Sequence, residues 1–236
     1  MITVIKVMEE GQLILIDKPL TWTSFDVVKK LKFACKFKKI GHAGTLDPLA
    51  TGLLILCTGK MTKQIDSYQA QEKEYTGTLV LGKTTPSVDL ETEFDAEYDI
   101  SAITPDAIQA AVAQLTGVID QIPPIYSAVR VNGERLYEKA RRGETADKVE
   151  GGIKSRTITV STFEVHSERF PEIDFRIVCS KGTYIRSLVR DLGLLLQNGA
   201  YLKTLRRTRI GDFRIEDAET IDGFISKNRP VEPLHS

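Results

Sequence analysis

Apolar positions along this chain switch between period two and period three to four, so strands and helices can be read in turn. Leu13 to Ile16 is a short strand, stopped by Asp17-Lys18-Pro19. Ser24 is placed to cap a helix whose Phe25, Val27, Val28 and Leu31 share one face, with Lys29, Lys30 and Lys32 mostly off it. Leu53 to Cys57 is an unbroken apolar run, as in a buried strand, and Lys73 to Leu81 alternates. Thr104-Pro105 opens a helix carrying Ile108, Ala111, Val112 and Leu115, which Gly117 ends. Residues 122–152 break the pattern: Pro123-Pro124, Tyr126, Arg130, Arg135, Tyr137 and several glycines suggest an exposed arm with a short helix over Leu136 to Arg141. Strands resume at Thr157 to Val165 and Ile173 to Cys179. Thr183 then starts a helix with Ile185, Leu188, Val189, Leu192 and Leu196 inward, closed near Gly199. Leu202 to Arg214 is extended, and a loose tail follows Asn228. There is no internal repeat, and no strict β-α alternation. The pattern predicts an α+β fold rather than a doubly wound sheet.

Composition narrows the class more than the function. The 236 residues can bury a substantial core, in one large domain or two modest ones. Cys35, Cys57 and Cys179 lack C-x-x-C spacing, so no disulfide framework and no metal site is expected, and Cys57 and Cys179 sit in strand-like apolar runs. Met1 to Glu10 lacks the apolar core and cleavage site of a signal peptide, and no run reaches membrane-spanning length, so a cytoplasmic protein without membrane association is expected. The 32 basic and 32 acidic side chains balance, which by itself counts against a nucleic-acid partner. Their distribution restores the idea. Six lysines and no acid lie between Lys29 and Lys39, and Arg141-Arg142 and Arg206-Arg207 with Arg209 follow. An acid at every odd position from Asp89 to Asp99 is best read as a solvated face.

The candidate chemistry gathers in Gly41-His42-Ala43-Gly44-Thr45-Leu46-Asp47-Pro48-Leu49-Ala50-Thr51-Gly52. Pro48 biases Asp47 toward extended backbone, and the glycines permit tight turning or close approach. The apolar run behind would anchor the loop and present the carboxylate. Asp-Pro beside glycine is also ordinary turn chemistry, and His42 alone would be an ordinary structural histidine. The whole string changes that. It fills every fixed position of G-H-x-G-x-L-D-P-x-A-x-G and resembles the signature of the TruB family of pseudouridine synthases. Asp17-Lys18-Pro19, Lys73-Glu74-Tyr75, Lys181-Gly182-Thr183-Tyr184-Ile185-Arg186 and Leu205-Arg206-Arg207 match further family strings in order. The resemblance spans residues 13 to about 215.

The resemblance implies a large mixed, mainly antiparallel sheet flanked by helices around a central RNA-binding cleft. Residues 1–236 would form a single catalytic domain with an RNA-contacting arm near 122–152 and no C-terminal RNA-binding domain of the PUA type. It implies isomerisation of uridine to pseudouridine in the tRNA T-loop, at position 55, with no cofactor and no obligate protein partner. Asp47 would be the nucleophile, attacking C1′ or C6 or assisting a glycal route. A flipped base needs flat walls, which Tyr75 and Tyr184 can supply, although buried tyrosines also serve plain core packing. Arg186 would pair with Asp47 and favour its charged form; otherwise it is a surface arginine pairing with Asp191 or Glu164. Tyr75 could relay a proton, Leu205 would contact the flipped nucleotide, Lys18 of D-K-P would join the substrate site, and His42 would shape the RNA. Lys36, Lys38, Lys39, Arg141 and Arg142 would meet phosphates. Where the family reads G-x-x-T-D-T-x-D, this chain has Pro86 at the first aspartate, although Asp89 remains.

Other classes fit less well. Leu54 and Met61 break the phosphate-binding G-x-x-x-x-G-K-[ST] pattern, and no zinc-deaminase signature is present. A synthase acting on another RNA, and a non-catalytic tRNA-binding or folding protein using the same cleft, are the remaining alternatives.

Overall fold

The structure is a computed structural model that describes residues 11–230. In chain order the strands and α-helices are β1 Leu13–Lys18, α1 Ser24–Ala34, β2 Ile40–Ala43, β3 Ala50–Thr58, α2 Ile65–Ala70, β4 Lys73–Leu81, β5 Lys83–Thr84, β6 Ala96–Glu97, α3 Pro105–Gln114 and β7 Gly117–Gln121. They continue with β8 Arg130–Val131, β9 Glu134–Arg135, α4 Leu136–Arg141, β10 Arg156–Arg169, β11 Glu172–Cys179, α5 Ile185–Leu195, β12 Ala200–Ile210, β13 Phe213–Arg214 and α6 Ile221–Asn228. The main sheet is mixed, with strand order β1-β3-β12-β4-β11-β10-β7, β2 paired to β3 and β13 to β12. This is the α+β architecture expected from the sequence. Two compact units divide the chain: one holds residues up to Tyr75 and from Leu205, the other is Thr76–Thr204, and β4 and β12 run from one into the other.

In the first unit, β3 is the organising strand. One edge carries β1, antiparallel from Leu13↔Cys57 to Lys18↔Gly52. The other edge carries β2 against Ile55 to Thr58, then β12, in parallel, against Ala50 to Gly52. The Asp47 loop therefore lies where that edge passes from one partner to the other. Both faces of β3 are covered. Leu54 and Leu56 pack with Ile14, Ile16, Val27, Leu31 and Phe224, while Leu53, Ile55 and Cys57 pack with Ala43 and Ile210. Burial on both faces is why its sequence is continuously apolar instead of alternating.

Two details of α1 differ from expectation. Thr23, not Ser24, is the N-cap. Its extended backbone and the Asp26 carboxylate three residues on complete a capping box, with Asp26 N–H donating to Thr23 Oγ1 at 3.0 Å and Thr23 N–H to Asp26 Oδ2 at 2.9 Å. The buried stripe is Ser24, Val27, Val28 and Leu31. Phe25 lies about 100° round the helix from Ser24, outside that stripe, and is 66% exposed.

In the second unit, β10 pairs antiparallel with β11 and β7. Thr104 caps α3 as expected, and Gly117, at φ +103°, begins β7 after the helix has closed at Leu115. Thr183 does not cap α5. Its hydroxyl donates to the Ser180 carbonyl, and Tyr184 occupies the cap position. The short helix in the arm forms over Leu136–Arg141, and the arm has a small core of its own in Ile125, Leu136, Ala140 and Val149. The extended segment after Leu202 is a hairpin of β12 and β13 that turns at Gly211. Among the described residues, no helix is long and apolar enough to cross a membrane, and no group of His, Cys, Asp or Glu is arranged to hold a metal ion.

Candidate active site

The Asp47 loop is fastened on both sides of the aspartate. Ser24, buried on α1, accepts a hydrogen bond from Leu46 N–H at 2.8 Å and donates to Leu46 C=O at 3.3 Å. On the far side, the Pro48 carbonyl accepts from Thr21 N–H at 2.9 Å and from Lys18 Nζ at 3.3 Å. The Asp47 carbonyl closes a turn onto Ala50 N–H at 3.0 Å. Asp47 itself is half-buried.

Two buried cations underlie the loop. Lys18 has no exposed surface, and its ammonium also donates to the carbonyls of Trp22 at 2.5 Å and Pro19 at 3.0 Å. Burial lowers its pKa to about 8, with the Asp47 charge opposing that shift and the Arg207 charge adding to it. Arg207 is 1% exposed and straddles the loop, donating from Nε to Leu53 C=O at 2.8 Å and from Nη2 to Gly44 C=O at 3.2 Å. His42 enters the loop half-buried, and its Nδ1 has no hydrogen-bond partner among the described residues. Burial, then the charge of Arg207, lowers its pKa against the opposing Gly44 carbonyl, so the imidazole is neutral at pH 7.

The Lys18 shift has a measurable consequence. An unfolded lysine titrates near 10.5, so between about pH 8 and 10.5 the unfolded chain binds more protons at this position than the folded one. Folding is therefore penalised below pH 8, and the penalty is relieved as pH rises to 10.5. Chemical denaturation of wild type and Lys18→Met across this window is expected to show wild type gaining on the variant by up to about 3 kcal/mol. A constant difference would contradict the shift.

The remaining residues of this unit are placed by β4 and β12. Leu205 is nearly buried opposite Ala50, and Tyr75 on β4 is 8% exposed. Arg206, Arg207 and Arg209 do not form the basic patch suggested by their sequence. Arg206 forks onto Asp17 at 3.0 and 2.7 Å, Arg207 is internal, and Arg209 pairs with Glu72 at 2.8 Å. Lys36, Lys38 and Lys39 are exposed, but on the connection between α1 and β2 instead of the helix.

The second unit holds Tyr184 and Arg186. Tyr184 is half-buried; Gln121 clamps its backbone at 2.8 and 3.0 Å, and the Arg156 guanidinium stands 5.4 Å from its ring centre. Arg186 is buried, not superficial. It donates to Ser87 C=O at 3.1 Å and Tyr126 C=O at 2.8 Å, with Asp89 Oδ2 at 3.7 Å from Nε. The alternative partners are otherwise engaged: Asp191 by Arg190 and Glu164 by Arg176. Asp89 is thus buried beside a cation, unlike the exposed acids that follow it. In the arm, Arg141 donates to Tyr137 Oη at 2.7 Å, and Arg142 pairs with Glu134 and Glu144.

Residues 32–185 match the family model described as TruB family pseudouridylate synthase (N terminal domain), and residues 186–226 match tRNA pseudouridylate synthase B C-terminal domain. The chain belongs to the TruB family. A relative named tRNA pseudouridine synthase B from Flavobacterium johnsoniae is 53% identical over 91% of this chain and 95% of its own length. One of the same name from Chloroherpeton thalassium is 46% identical over 94% and 92%. Among solved structures, a chain of a Cbf5-Nop10-Gar1 complex matches with TM-score 0.72 and 29% identity. A chain of an H/ACA RNP bound to a substrate RNA containing 2′-deoxyuridine matches with TM-score 0.68 and 27% identity. Each of these covers 94% of this TruB-family chain, which spans little more than half of theirs, 56% and 55%.

Ser24, Thr21 and Arg207 carry much of this arrangement, and no local sequence pattern places Ser24 or Thr21 against the Asp47 loop. Ser24 was the expected helix cap, and Arg207 one of a cluster of surface cations. The available signal for Arg207 was its place within Leu205-Arg206-Arg207.

Proposed function

We propose that this TruB-family chain isomerises uridine to pseudouridine in tRNA, at the T-loop uridine of position 55. The observation that carries the reading is the Asp47 loop, with its backbone tied at Leu46 and Pro48 over two buried cations. The reaction breaks the N1–C1′ bond, turns the uracil, and joins C5 to C1′; the C5 hydrogen leaves as a proton and N1 gains one. Electrons balance within the substrate, so the chemistry asks for a nucleophile and a sheltered base and not for a redox partner.

In this reading Asp47 is the nucleophile and Arg186 the cation that stabilises its charge. Tyr75 and Tyr184 wall the flipped base, Tyr75 relays the C5 proton, and Leu205 contacts the nucleotide. Lys18 braces the loop from below. His42, neutral at pH 7, suits a role in shaping the RNA better than one as a cationic acid. Residues 1–236 serve as one catalytic domain, with the arm over residues 122–152 meeting RNA, and the enzyme works in the cytoplasm. The test is release of tritium from a tRNA transcript labelled at uridine C5. One equivalent per tRNA is expected, and no release would contradict the proposal.

Lys36, Lys38 and Lys39 are exposed and unaccompanied by acids in sequence, as phosphate contacts should be. Changing all three to alanine is expected to weaken tRNA binding and to lower the slope of log Kd against log salt by about 2 to 3. An unchanged slope would show that these lysines are merely solvated. Arg142 is the weakest member of the proposed phosphate set, because two glutamates already occupy it.

A further inference from the structure

The outer side of α1 is unusual for a helix that covers a core. At 100° per residue, Phe25, Lys29, Lys30, Lys32 and Phe33 all fall away from the Ser24–Val28–Leu31 stripe. Phe33 is 71% exposed. Beside it lies a cavity of about 690 Å³ lined by Thr21, Trp22, Lys29, Lys30, Phe33 and Arg229, among others. A second cavity, of about 540 Å³, shares Trp22 and Lys30 and continues to Thr51 and Arg206. The two make one trough with an aromatic shared wall.

Its lining keeps a cationic excess: Lys18, Lys29, Lys30, Arg206 and Arg229 stand against Asp17, Asp26 and Asp222, with Asp17 held by Arg206. The wall is also joined to the Asp47 loop. Thr21, a β-branched residue held at φ +68°, gives its N–H to the Pro48 carbonyl, and the Trp22 carbonyl receives the Lys18 ammonium. A threonine in left-handed backbone is a strained feature, and such features concentrate at functional sites.

We propose that this trough is a second RNA subsite that takes a short single-stranded segment of the tRNA, one base lying against Trp22 or Phe33 with flanking phosphates on Lys29, Lys30 and Arg229. Flat side chains interleaved with cations suit unpaired nucleotides, because every base has a face to stack and every link a charge. A protein partner would find a wall richer in lysine than a docking surface normally is. The proposal rests on the tRNA reading above.

Trp22 is the only tryptophan in the chain, so its fluorescence reports directly on the trough. The probe is an adenine pentaribonucleotide, which contains no uridine to isomerise. Saturable quenching is expected in wild type. Phe33→Ala and the pair Lys29→Ala and Lys30→Ala are each expected to weaken it at least about fivefold. The same variants should raise Kd for whole tRNA while leaving single-turnover conversion of bound tRNA unchanged. No quenching by the oligonucleotide, with tRNA conversion intact, would overturn the subsite alone. Equal quenching by inorganic polyphosphate would overturn the stacking role. Self-association abolished by Phe33→Ala would assign the face to a second copy of the chain instead. Quenching retained in a protein unable to convert tRNA would support the subsite while sinking the tRNA reading.

Discussion

Asp47→Asn is expected to bind tRNA within a few-fold of wild type and to form no pseudouridine. The substitution keeps the side chain's size and leaves the bonds at Leu46 and Pro48 intact, since none of them is made by the Asp47 carboxylate. It removes the charge and the nucleophilic oxygen together. Loss of a nucleophile typically lowers turnover by four or more orders of magnitude, because the groups around it act as one unit. Filter binding and single-turnover conversion, measured on the same preparation, separate the two effects. Equal loss of binding and turnover would mean that the carboxylate serves the RNA complex instead of the chemistry. Substantial turnover would sink the assignment of Asp47 as nucleophile.

Gly52→Ala is expected to do the greatest structural damage of any single methyl added to the loop. Gly52 sits at φ +103°, and a Cβ there would lie 2.3 Å from the Arg207 carbonyl oxygen and 2.8 Å from the Arg207 nitrogen. Those atoms are backbone in the parallel pairing of β3 and β12, so no rotamer change can relieve the contact. Separating the strands would also draw Arg207 away from Leu53 and Gly44. Strain and clash together should cost on the order of 4 kcal/mol or more, a fall in Tm of roughly 10 °C or beyond. Two glycines of the same loop calibrate this. At Gly44, φ is +91° but the nearest atom to a Cβ is Arg207 Nη1 at 3.5 Å, so only the backbone penalty applies. At Gly41 the near contact is the movable end of Ile65 at 2.8 Å. Thermal melts should therefore rank Gly52→Ala below Gly44→Ala, with Gly41→Ala nearest to wild type. A Gly52→Ala protein as stable as Gly41→Ala would contradict the close approach of the two strands.

The regular elements were legible because their signals are local. Thr104-Pro105 opened a helix as its cap chemistry requires, and the alternation over Lys73 to Leu81 coincides with β4. The misplacements share a physical cause. Ser24 and Thr23 are both good capping residues, and only the tertiary demand of Leu46 for a buried hydroxyl decided which was left to cap. Phe25 is apolar, which alone predicts an inward position, yet the helix turns it out by about 100°. The basic clusters are neighbours in sequence only, whereas Asp17 and Glu72, which pair Arg206 and Arg209, are more than a hundred residues away. The same holds for the site. The motif string marked the loop that carries Asp47, but Lys18, Ser24 and Arg207 reach that loop from β1, α1 and β12. No local pattern shows that three separate elements meet beneath one aspartate.

The central claim, that this chain makes pseudouridine at one T-loop position, is most directly tested by incubating it with an unmodified tRNA transcript and mapping pseudouridine with carbodiimide and primer extension. A single alkali-resistant stop adjacent to position 55 is expected, absent from the Asp47→Asn reaction. Stops elsewhere in the tRNA, or none in a transcript the protein binds, would contradict it.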